Sequence, residues 1–188
     1  MKSPYCFIVK PLDGKRYNNT KEIGGINLIV STSQEDHTVS NRIGVVVSTP
    51  VGYNGDIVPG DLLLVHRNVF KLYYDMKGRE KSSWNYFKDD LYFIDDPYAY
   101  KKYGEEWKGI GRYLFVKPID NDFQGITTAD AKKPLTGTIR YTNDEILDLG
   151  IKEGDTVTFE PESEYEFDLD GEILYRMYTK NVTIKLNE

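Results

Sequence analysis

The feature that most constrains the fold of this chain is an internal repeat. Four short motifs of the first half recur in the same order in the second half. The recurring pairs are Val9-Lys10-Pro11-Leu12 with Val116-Lys117-Pro118-Ile119, Ile43–Val46 with Thr136–Ile139, Ile57–Asp61 with Ile151–Asp155, and the short end strands Leu91–Ile94 with Asn181–Ile184. Single matches of this length are common by chance, but four in register indicate two units built on one supersecondary pattern.

Patterns typical of short β-strands dominate both halves. Aromatic and β-branched residues form short runs, and Gly-Asp, Asn-Gly and Pro-Gly pairs separate them. The predicted strands are Tyr5–Val9, Arg42–Ser48, Asp61–His66, Phe70–Tyr74, Leu91–Ile94, Arg112–Val116, Thr136–Tyr141, Thr156–Glu160, Tyr165–Leu169, Ile173–Tyr178 and Val182–Leu186. One short helix is predicted at Asn143–Leu149, because Thr142 and Glu145 match a capping box and Gly150 can end the helix. Many short strands joined by turns predict an all-β chain, arranged as a barrel or a sandwich.

Composition excludes several classes of protein. The chain has 188 residues with 24 basic and 30 acidic side chains, a net charge of −6, and the basic residues are scattered. Nucleic-acid binding needs clustered Lys and Arg, so we expect no nucleic-acid partner. Cys6 is the single cysteine. No secretory signal is visible and no segment approaches the roughly 20 apolar residues of a membrane span, so we expect a cytoplasmic protein with no membrane partner.

A segment between the two repeats differs from both in composition. Residues 95–111 are rich in Tyr, Lys, Glu and Gly, and four of them are large aromatics: Tyr98, Tyr100, Tyr103 and Trp107. A free flexible linker rarely carries so many aromatic side chains, so we expect some of them to pack on a neighbouring domain. The predicted organisation is a first domain at 1–99, a linker at 100–111 and a second domain at 112–188.

The stretch 13–41 between two predicted strands is long for a connection in a compact domain, where about 4–6 residues is typical. Its flanks are polar, and its middle, Ile23–Val30, is apolar apart from Asn27 and the pair Gly24-Gly25. The pattern alone leaves two interpretations open. The middle segment is either the apolar tip of a loop that orders on binding a partner, or a further strand of the β-structure.

A resemblance to a known family favours the loop. The segment Thr20-Lys21-Glu22-Ile23-Gly24-Gly25-Ile26-Asn27-Leu28 resembles the mobile loop of GroES-type (chaperonin-10) co-chaperonins, whose core is Gly-Gly-Ile-Val-Leu. Phe7–Leu12 and Arg42–Val46 resemble the strands before and after that loop. Ile57–Leu63 resembles the family's Val-x-x-Gly-Asp-x-Val, and Leu169–Met177 resembles its Ile-Asp-Gly-Glu-Glu-Val-Leu-Ile-Met.

The resemblance implies two tandem GroES-like small β-barrels joined by the aromatic-rich linker. It also implies a co-chaperonin, not an enzyme, that caps a group I (GroEL-type) chaperonin ring and assists ATP-dependent protein folding as a seven-membered ring of its own. The implied chaperonin-binding residues are Ile23, Gly24, Gly25, Ile26, Asn27, Leu28 and Ile29.

Two departures from the family pattern bear on the partner. Asn27 stands at an apolar position of the loop core, where an unpaired buried amide costs about 1–3 kcal/mol. At the place of the loop, the second half has only the shorter segment Asp120–Pro134. This segment contains Gln124-Gly125-Ile126, with a single glycine and no apolar triplet. We therefore expect only the first domain to bind a chaperonin. A tandem chain can form a ring of seven chains with two tiers, or a ring of fewer chains that contains both domains, and the missing second loop favours two tiers with one loop from each chain.

The remaining signals point away from catalysis. His37, His66 and Cys6 have no zinc-binding spacing, and no phosphate loop or nucleophile motif is present, so we expect no catalytic residue, no metal and no cofactor. Glu160–Glu172 alternates acidic with apolar residues, which predicts a strand with one solvated acidic face. The alternative function is a structural or assembly protein, such as a viral one, that reuses the barrel without a chaperonin.

Overall fold

A computed structural model describes residues 1–17, 20–23, 26–29, 40–119 and 135–186, with the backbone alone for 20–23 and 26–29. β-Strands make up most of the ordered structure, and the one α-helix of the described residues spans five residues, so the protein is all-β. The chain divides into two compact units, Met1–Glu105 and Glu106–Glu188. The boundary falls inside the segment 100–111 that the sequence predicts to be a linker.

The first unit contains a six-stranded antiparallel sheet and two separate hairpins. Its strands are β1 (Phe7–Pro11), β2 (Thr20–Ile23), β3 (Ile26–Ile29), β4 (Ile43–Ser48), β5 (Leu62–Leu64), β6 (Leu72–Tyr74), β7 (Glu80–Ser82), β8 (Tyr86–Lys88), β9 (Leu91–Ile94) and β10 (Ala99–Lys101). Six of these strands form the sheet, in the order β10-β5-β4-β1-β9-β8. The pairs β2–β3 and β6–β7 each form a two-stranded sheet of their own.

The second unit contains one six-stranded antiparallel sheet and one short helix. Its elements are β11 (Lys108–Gly109), β12 (Tyr113–Pro118), β13 (Thr136–Tyr141), α1 (Asp144–Asp148), β14 (Thr156–Phe159), β15 (Tyr165–Leu169), β16 (Glu172–Tyr178) and β17 (Val182–Lys185), with a 3-10 turn at Thr179–Asn181. The sheet order is β15-β16-β12-β13-β14-β17. In the part of the chain that the structure describes, neither six-stranded sheet closes into a barrel.

The two sheets have the same strand order and the same chain direction through it. Strands β1, β4, β5, β8, β9 and β10 occupy the places that β12 to β17 occupy in the second unit. The register agrees in detail: Pro11 pairs with Gly44 in the first unit, and Pro118 pairs with Gly137 in the second. A β-bulge also interrupts both pairings, just before Val9 and just before Val116. The repeated motifs therefore correspond to one repeated arrangement of strands.

The repeated Gly-Asp motif closes the same turn in both units. The Asp61 carboxylate accepts the backbone N–H of Val58 at 2.8 Å, and the Asp155 carboxylate accepts that of Lys152 at 2.8 Å. The preceding glycines have φ of +100° and +87°, a region that favours glycine. Each unit thus needs glycine for the backbone and aspartate for the hydrogen bond at the same point, which explains why the pair recurs.

One equivalence drawn from the sequence is wrong. Leu91–Ile94 pairs with β1, whereas β17 pairs with β14. The counterpart of β17 is Ala99–Lys101, which pairs with β5 in the corresponding way. The apolar strand Leu91–Ile94 corresponds instead to part of β16, because both pair with the first strand of their own unit.

Alternating burial explains why these segments are strands with one core-facing side. In β13, Gly137, Ile139 and Tyr141 are buried while the residues between them are partly exposed. The largest fully buried side chains of the first unit are Ile8, Leu63, Leu64, Phe70 and Tyr92. The core cluster of the second unit consists of Leu114, Val116, Ile139, Ile146, Val157, Phe159, Tyr175 and Met177.

The predicted helix is present, but it begins at a different capping residue. Asn143 is the N-cap, and its side-chain oxygen accepts the N–H of Ile146 at 2.8 Å. The predicted cap, Thr142, lies one residue earlier. The Asn143 amide also donates to Thr179 Oγ1 at 2.8 Å, so a buried long-range contact selects Asn143. Gly150 follows the helix with φ of +77°, as predicted for its end.

The aromatic residues of segment 95–111 differ in burial. Tyr98 is buried, and so is Trp107, whose indole N–H donates to Asp170 at 3.1 Å within the second unit. Tyr103 is fully exposed. Tyr100 belongs to β10 and pairs with Leu63 in the first sheet.

Candidate binding loop and its base

The apolar segment of the predicted loop forms a hairpin of its own. β2 and β3 are antiparallel, with Ile23 opposite Ile26 and Thr20 opposite Ile29. Among the described residues, this hairpin makes no backbone ladder with the six-stranded sheet. In the described residues the segment is thus not a single strand of the main sheet: Ile23 ends β2, and Ile26–Ile29 form β3, the second strand of a separate hairpin within the connection between β1 and β4.

The predicted binding residues fall partly within the described chain. The backbones of Ile23, Ile26, Asn27, Leu28 and Ile29 belong to the hairpin, and Asn27 is opposite Glu22 in its register. Gly24 and Gly25 lie outside the described residues, at the position that connects the two strands. The hairpin register brings the predicted residues on both sides of that connection next to each other.

The two ends of the connection between β1 and β4 meet at one point of the first unit. Tyr17 and Ser40 form an antiparallel β-bridge, and the Asn41 N–H donates to the Arg16 carbonyl at 2.9 Å. Residues 18–39 therefore start and end side by side. We call the four residues Arg16, Tyr17, Ser40 and Asn41 the loop base.

Buried polar side chains hold the returning arm of the loop base. Asn41 is 1% exposed, and its amide group donates to the carbonyls of Lys15 at 2.7 Å and Leu12 at 3.3 Å. Its side-chain oxygen accepts the N–H of Ile43 at 2.9 Å. The Ser40 hydroxyl donates to the Arg67 carbonyl at 2.7 Å. Because these groups are buried and hydrogen-bonded, this end of the loop has a fixed position in the first unit.

The departing arm of the loop base is attached to the β6–β7 hairpin. The Tyr17 hydroxyl accepts the N–H of Leu72 at 2.7 Å, and Arg16 Nη1 donates to Ser82 Oγ at 3.3 Å. Leu72 and Ser82 are opposite each other in the hairpin, so the loop base is hydrogen-bonded to both strands at the same paired position. Burial raises the pKa of the Tyr17 phenol, and the hydroxyl therefore stays protonated at neutral pH.

Arg16 also bridges the loop base to β8 and β9. Its Nη2 donates to the Asp90 carboxylate at 3.0 Å, and its guanidinium lies over the rings of Tyr86 and Tyr92, 5.4 and 5.7 Å from their centroids. Burial alone lowers the pKa of Arg16, but the hydrogen bond to Asp90 and the neighbouring tyrosines outweigh that effect and raise it. A permanent positive charge thus stands at the root of the loop.

The β6–β7 hairpin carries an exposed aromatic and basic surface. Its turn is closed by the Asp75 carboxylate, which accepts the N–H of Lys77 at 2.9 Å and of Arg79 at 3.0 Å. These hydrogen bonds, the one from the Arg79 N–H foremost, lower the pKa of Asp75. The exposed large apolar side chains on this hairpin and the segment after it are Tyr73, Tyr74, Met76, Trp84, Tyr86 and Phe87.

The second unit has no counterpart of this hairpin. Its β14 ends at Phe159 and its β15 begins at Tyr165, so a short turn replaces the two strands. At the place of the loop, the Ile119 N–H donates to the Thr136 carbonyl at 3.1 Å. The predicted short replacement of the loop, Asp120–Pro134, lies outside the described residues.

The acidic alternation predicted for Glu160–Glu172 is present within β15, whereas Glu162 and Asp170 lie in turns and Glu172 begins β16. In β15, Glu166 and Asp168 are exposed while Phe167 and Leu169 are buried. The described residues contain no group of three or more His, Cys, Asp or Glu side chains placed to hold a metal ion. The exposed carboxylates of β15 lie on one face of the strand.

The sequence pattern does not single out the loop base. In the sequence, Arg16 and Tyr17 are recognisable only as residues of the segment that precedes the apolar part of the loop. Their partners Leu72 and Ser82 are remote in sequence. The one available signal is the tyrosine-rich stretch from Phe70 to Tyr86, which has no counterpart in the family that the loop resembles. Its pairing with the loop base becomes visible only in the structure.

Comparison with known proteins gives no match, either to a protein-family model or to a curated protein sequence. No helix within the described residues has the length and apolar character needed to cross a membrane.

Proposed function

We propose that this protein is a co-chaperonin that caps a group I chaperonin ring through the loop 13–41 and assists ATP-dependent protein folding. The observation that carries the proposal is the separate hairpin Thr20–Ile23/Ile26–Ile29, which stands on a closed base and outside the six-stranded sheet. A short apolar hairpin that is not hydrogen-bonded into the main sheet is suited to add its apolar residues to a partner's groove.

The internal repeat supports the tandem part of the proposal. Both units have one strand order, one bulge position and one Gly-Asp turn, as expected of two copies of a GroES-like domain. Among the residues that the structure describes, only those of the first unit combine the closed loop base with the extra β6–β7 hairpin. We therefore infer that the first unit makes the contact with the chaperonin and that the second serves the assembly.

Multivalency explains how such a loop can act reversibly. Burying Ile26, Leu28 or Ile29 fully contributes about 1.5–3 kcal/mol each. Much of this gain is offset by the ordering of the loop, so one loop binds weakly. A ring of seven chains presents seven loops, and each loop that binds raises the effective concentration of the rest. Weak individual contacts allow release when the chaperonin changes state.

The proposal is tested by binding of the full chain to an immobilised group I chaperonin ring, with and without ATP. We expect nucleotide-dependent binding for the wild type and its loss in Ile26→Ser/Leu28→Ser. A matched control is Leu147→Ser/Leu149→Ser, which removes two exposed apolar side chains of the second unit at the same spacing and leaves binding unchanged.

The absence of wild-type binding to any ring from a plausible host refutes the proposal. That result would favour the alternative function, a structural or assembly protein that uses the same β-structure without a chaperonin. Amide exchange in residues 20–29 then separates the two: a chaperonin-binding loop gains protection only with the ring, whereas a structural loop is protected in the protein's own assembly.

A further inference from the structure

The exposed surface of the β6–β7 hairpin has a charge opposite to that of the whole chain. Residues 71–88 contain five basic side chains and two acidic ones, a net charge of +3 in a chain of net charge −6. Exposed among them are the apolar side chains of Tyr73, Tyr74, Met76, Trp84 and Phe87. They are spread over the hairpin and the segment after it: Tyr73 and Tyr74 lie on opposite faces of β6, Met76 lies in the turn, Trp84 follows β7, and Phe87 belongs to β8. We call these five side chains, with the exposed Lys77, Lys81 and Lys88, the hairpin surface.

Such a surface is unusual for a side of a protein that faces only water. Met76 and Trp84 are fully exposed, and a tryptophan or methionine in that position has no role in the core. Aromatic and methionine side chains are enriched at protein interfaces, whose rims are polar. The hairpin surface therefore fits an apolar partner surface with an acidic rim.

The structure ties this surface to the candidate binding loop. The Tyr17 hydroxyl accepts the Leu72 N–H, and Arg16 donates to Ser82, so the root of the hairpin is fixed to the base from which the loop departs. In the second unit, the described stretch between β14 and β15 has no such hairpin, and the sequence of that unit lacks the apolar loop segment as well. The two features occur together, in one unit and at one root.

We propose that the hairpin surface is a second contact with the partner that takes the loop, namely an apolar, acidic-rimmed patch on the end face of the chaperonin ring. This inference rests on the proposed function. The loop supplies a flexible apolar contact, and the hairpin supplies a pre-organised aromatic and basic contact beside it. Because the hairpin is already ordered by the Asp75 turn and the loop base, its contact requires little ordering on binding.

The first test compares apolar variants of the full chain in binding to the chaperonin ring with ATP. Met76→Ser/Trp84→Ser removes the two most exposed side chains of the hairpin surface, and its effect on folding is small because neither is buried. We expect affinity to fall by about tenfold or more, as for central interface aromatics. The matched control is Tyr5→Ser/Tyr103→Ser, which removes two equally exposed aromatics elsewhere in the first unit and leaves affinity unchanged.

The second test measures the salt dependence of the same affinity. Lys77→Glu/Lys81→Glu is expected to weaken binding and to flatten the fall of affinity with ionic strength, since it reverses the charges that meet the acidic rim. Lys2→Glu/Lys10→Glu changes the net charge equally at exposed positions outside the hairpin surface and keeps the wild-type slope. A merely structural role of the hairpin does not change this slope.

The outcomes separate this inference from the proposed function. If Ile26→Ser/Leu28→Ser abolishes binding while both hairpin variants bind like wild type, the hairpin contact is refuted and the co-chaperonin proposal stands. If the wild type does not bind the ring, both the co-chaperonin proposal and the hairpin contact are refuted. The mass of each variant is measured by light scattering, and we expect the wild-type mass. A loss of oligomer in Met76→Ser/Trp84→Ser overturns the inference and assigns the hairpin surface to contacts between copies of this chain.

Discussion

Replacing Tyr92 with phenylalanine is expected to stabilise the first unit. Tyr92 is 0% exposed, and no group among the described residues lies within hydrogen-bonding reach of its hydroxyl. A buried hydroxyl without a partner costs about 1–3 kcal/mol relative to its hydration in the unfolded chain. The ring contacts with Phe70 and Tyr86, at centroid distances of 4.8 and 5.5 Å, involve only the ring and persist in the variant. We expect Tyr92→Phe to raise the free energy of unfolding by about 1 kcal/mol.

The same burial gives this prediction a dependence on pH. Burial raises the pKa of the Tyr92 phenol to about 12, because the phenolate is far less stable there than in water. An unfolded tyrosine titrates near pH ~10. Below that pH both states are neutral and ionisation makes no difference. As the pH rises toward 12, the unfolded chain loses a proton that the folded unit keeps, so the wild type loses stability. The advantage of Tyr92→Phe therefore grows across this window.

Amide hydrogen exchange of β9 in the first unit measures the effect, because its slowest amides report the free energy of unfolding of that unit. The matched control is Tyr17→Phe, which deletes the same atom where it is used. The Tyr17 hydroxyl accepts the Leu72 N–H at 2.7 Å, so its loss leaves that N–H unpaired and should cost about 1 kcal/mol. Opposite signs for the two substitutions are the expected result.

A different pattern would refute the reasoning. If Tyr92→Phe is less stable than wild type at neutral pH, the Tyr92 hydroxyl has a partner that offsets its burial. If the two proteins keep a constant difference from pH 8 to 12, the Tyr92 phenol titrates at its ordinary pKa and is not shielded from water in the folded unit.

Two further predictions concern the second unit, where fluorescence of the buried Trp107 reports urea unfolding. Asn143→Ala loses the cap of α1 and the buried hydrogen bond to Thr179, so it should lower the free energy of unfolding by about 2–3 kcal/mol. Thr142→Ala should change it by less than about 0.5 kcal/mol. Equal effects of the two substitutions would show that Thr142 is the cap. Glu172 accepts hydrogen bonds from Lys117 at 2.6 Å and Arg140 at 3.2 Å, and these hydrogen bonds lower the pKa of Glu172. The stabilising effect of the ionised Glu172 is therefore present above the ordinary pKa of glutamate and is lost as the pH falls through the lowered pKa. Glu172→Gln should therefore make the second unit less sensitive to acid, and an unchanged acid profile would contradict this.

Much of the fold follows from local patterns in the sequence. Each predicted strand overlaps an observed one, because the burial of β13 and β15 alternates as their residue types do. The Gly-Asp motif can be recognised in the sequence because the turn requires a residue with positive φ followed by a carboxylate that accepts a backbone hydrogen bond. The misassigned end strand shows the limit of this reasoning: Leu91–Ile94 and Asn181–Ile184 are similar in pattern, and only their pairing partners distinguish them.

The candidate site was less accessible to prediction than the sheets. The apolar segment around Gly24-Gly25 is visible in the sequence, but its support is not. Arg16 and Tyr17 reach Ser82 and Leu72, which are 66 and 55 residues away along the chain, and no local periodicity encodes such pairs. The choice of Asn143 over Thr142 has the same origin, since Thr179 lies 36 residues further on.

The bridge between Tyr17 and Ser40 makes the first unit a candidate scaffold for peptide display. The returning end of the connection is fastened by buried groups, above all Asn41, and the departing end by the half-buried Arg16 and Tyr17, so an exchanged insert starts and ends at a fixed junction. Closing a longer insert costs only about 0.6 kcal/mol for each doubling of its length. Inserts of varied length and sequence can thus be held with both termini fixed, which lowers the conformational entropy they lose on capture by a target.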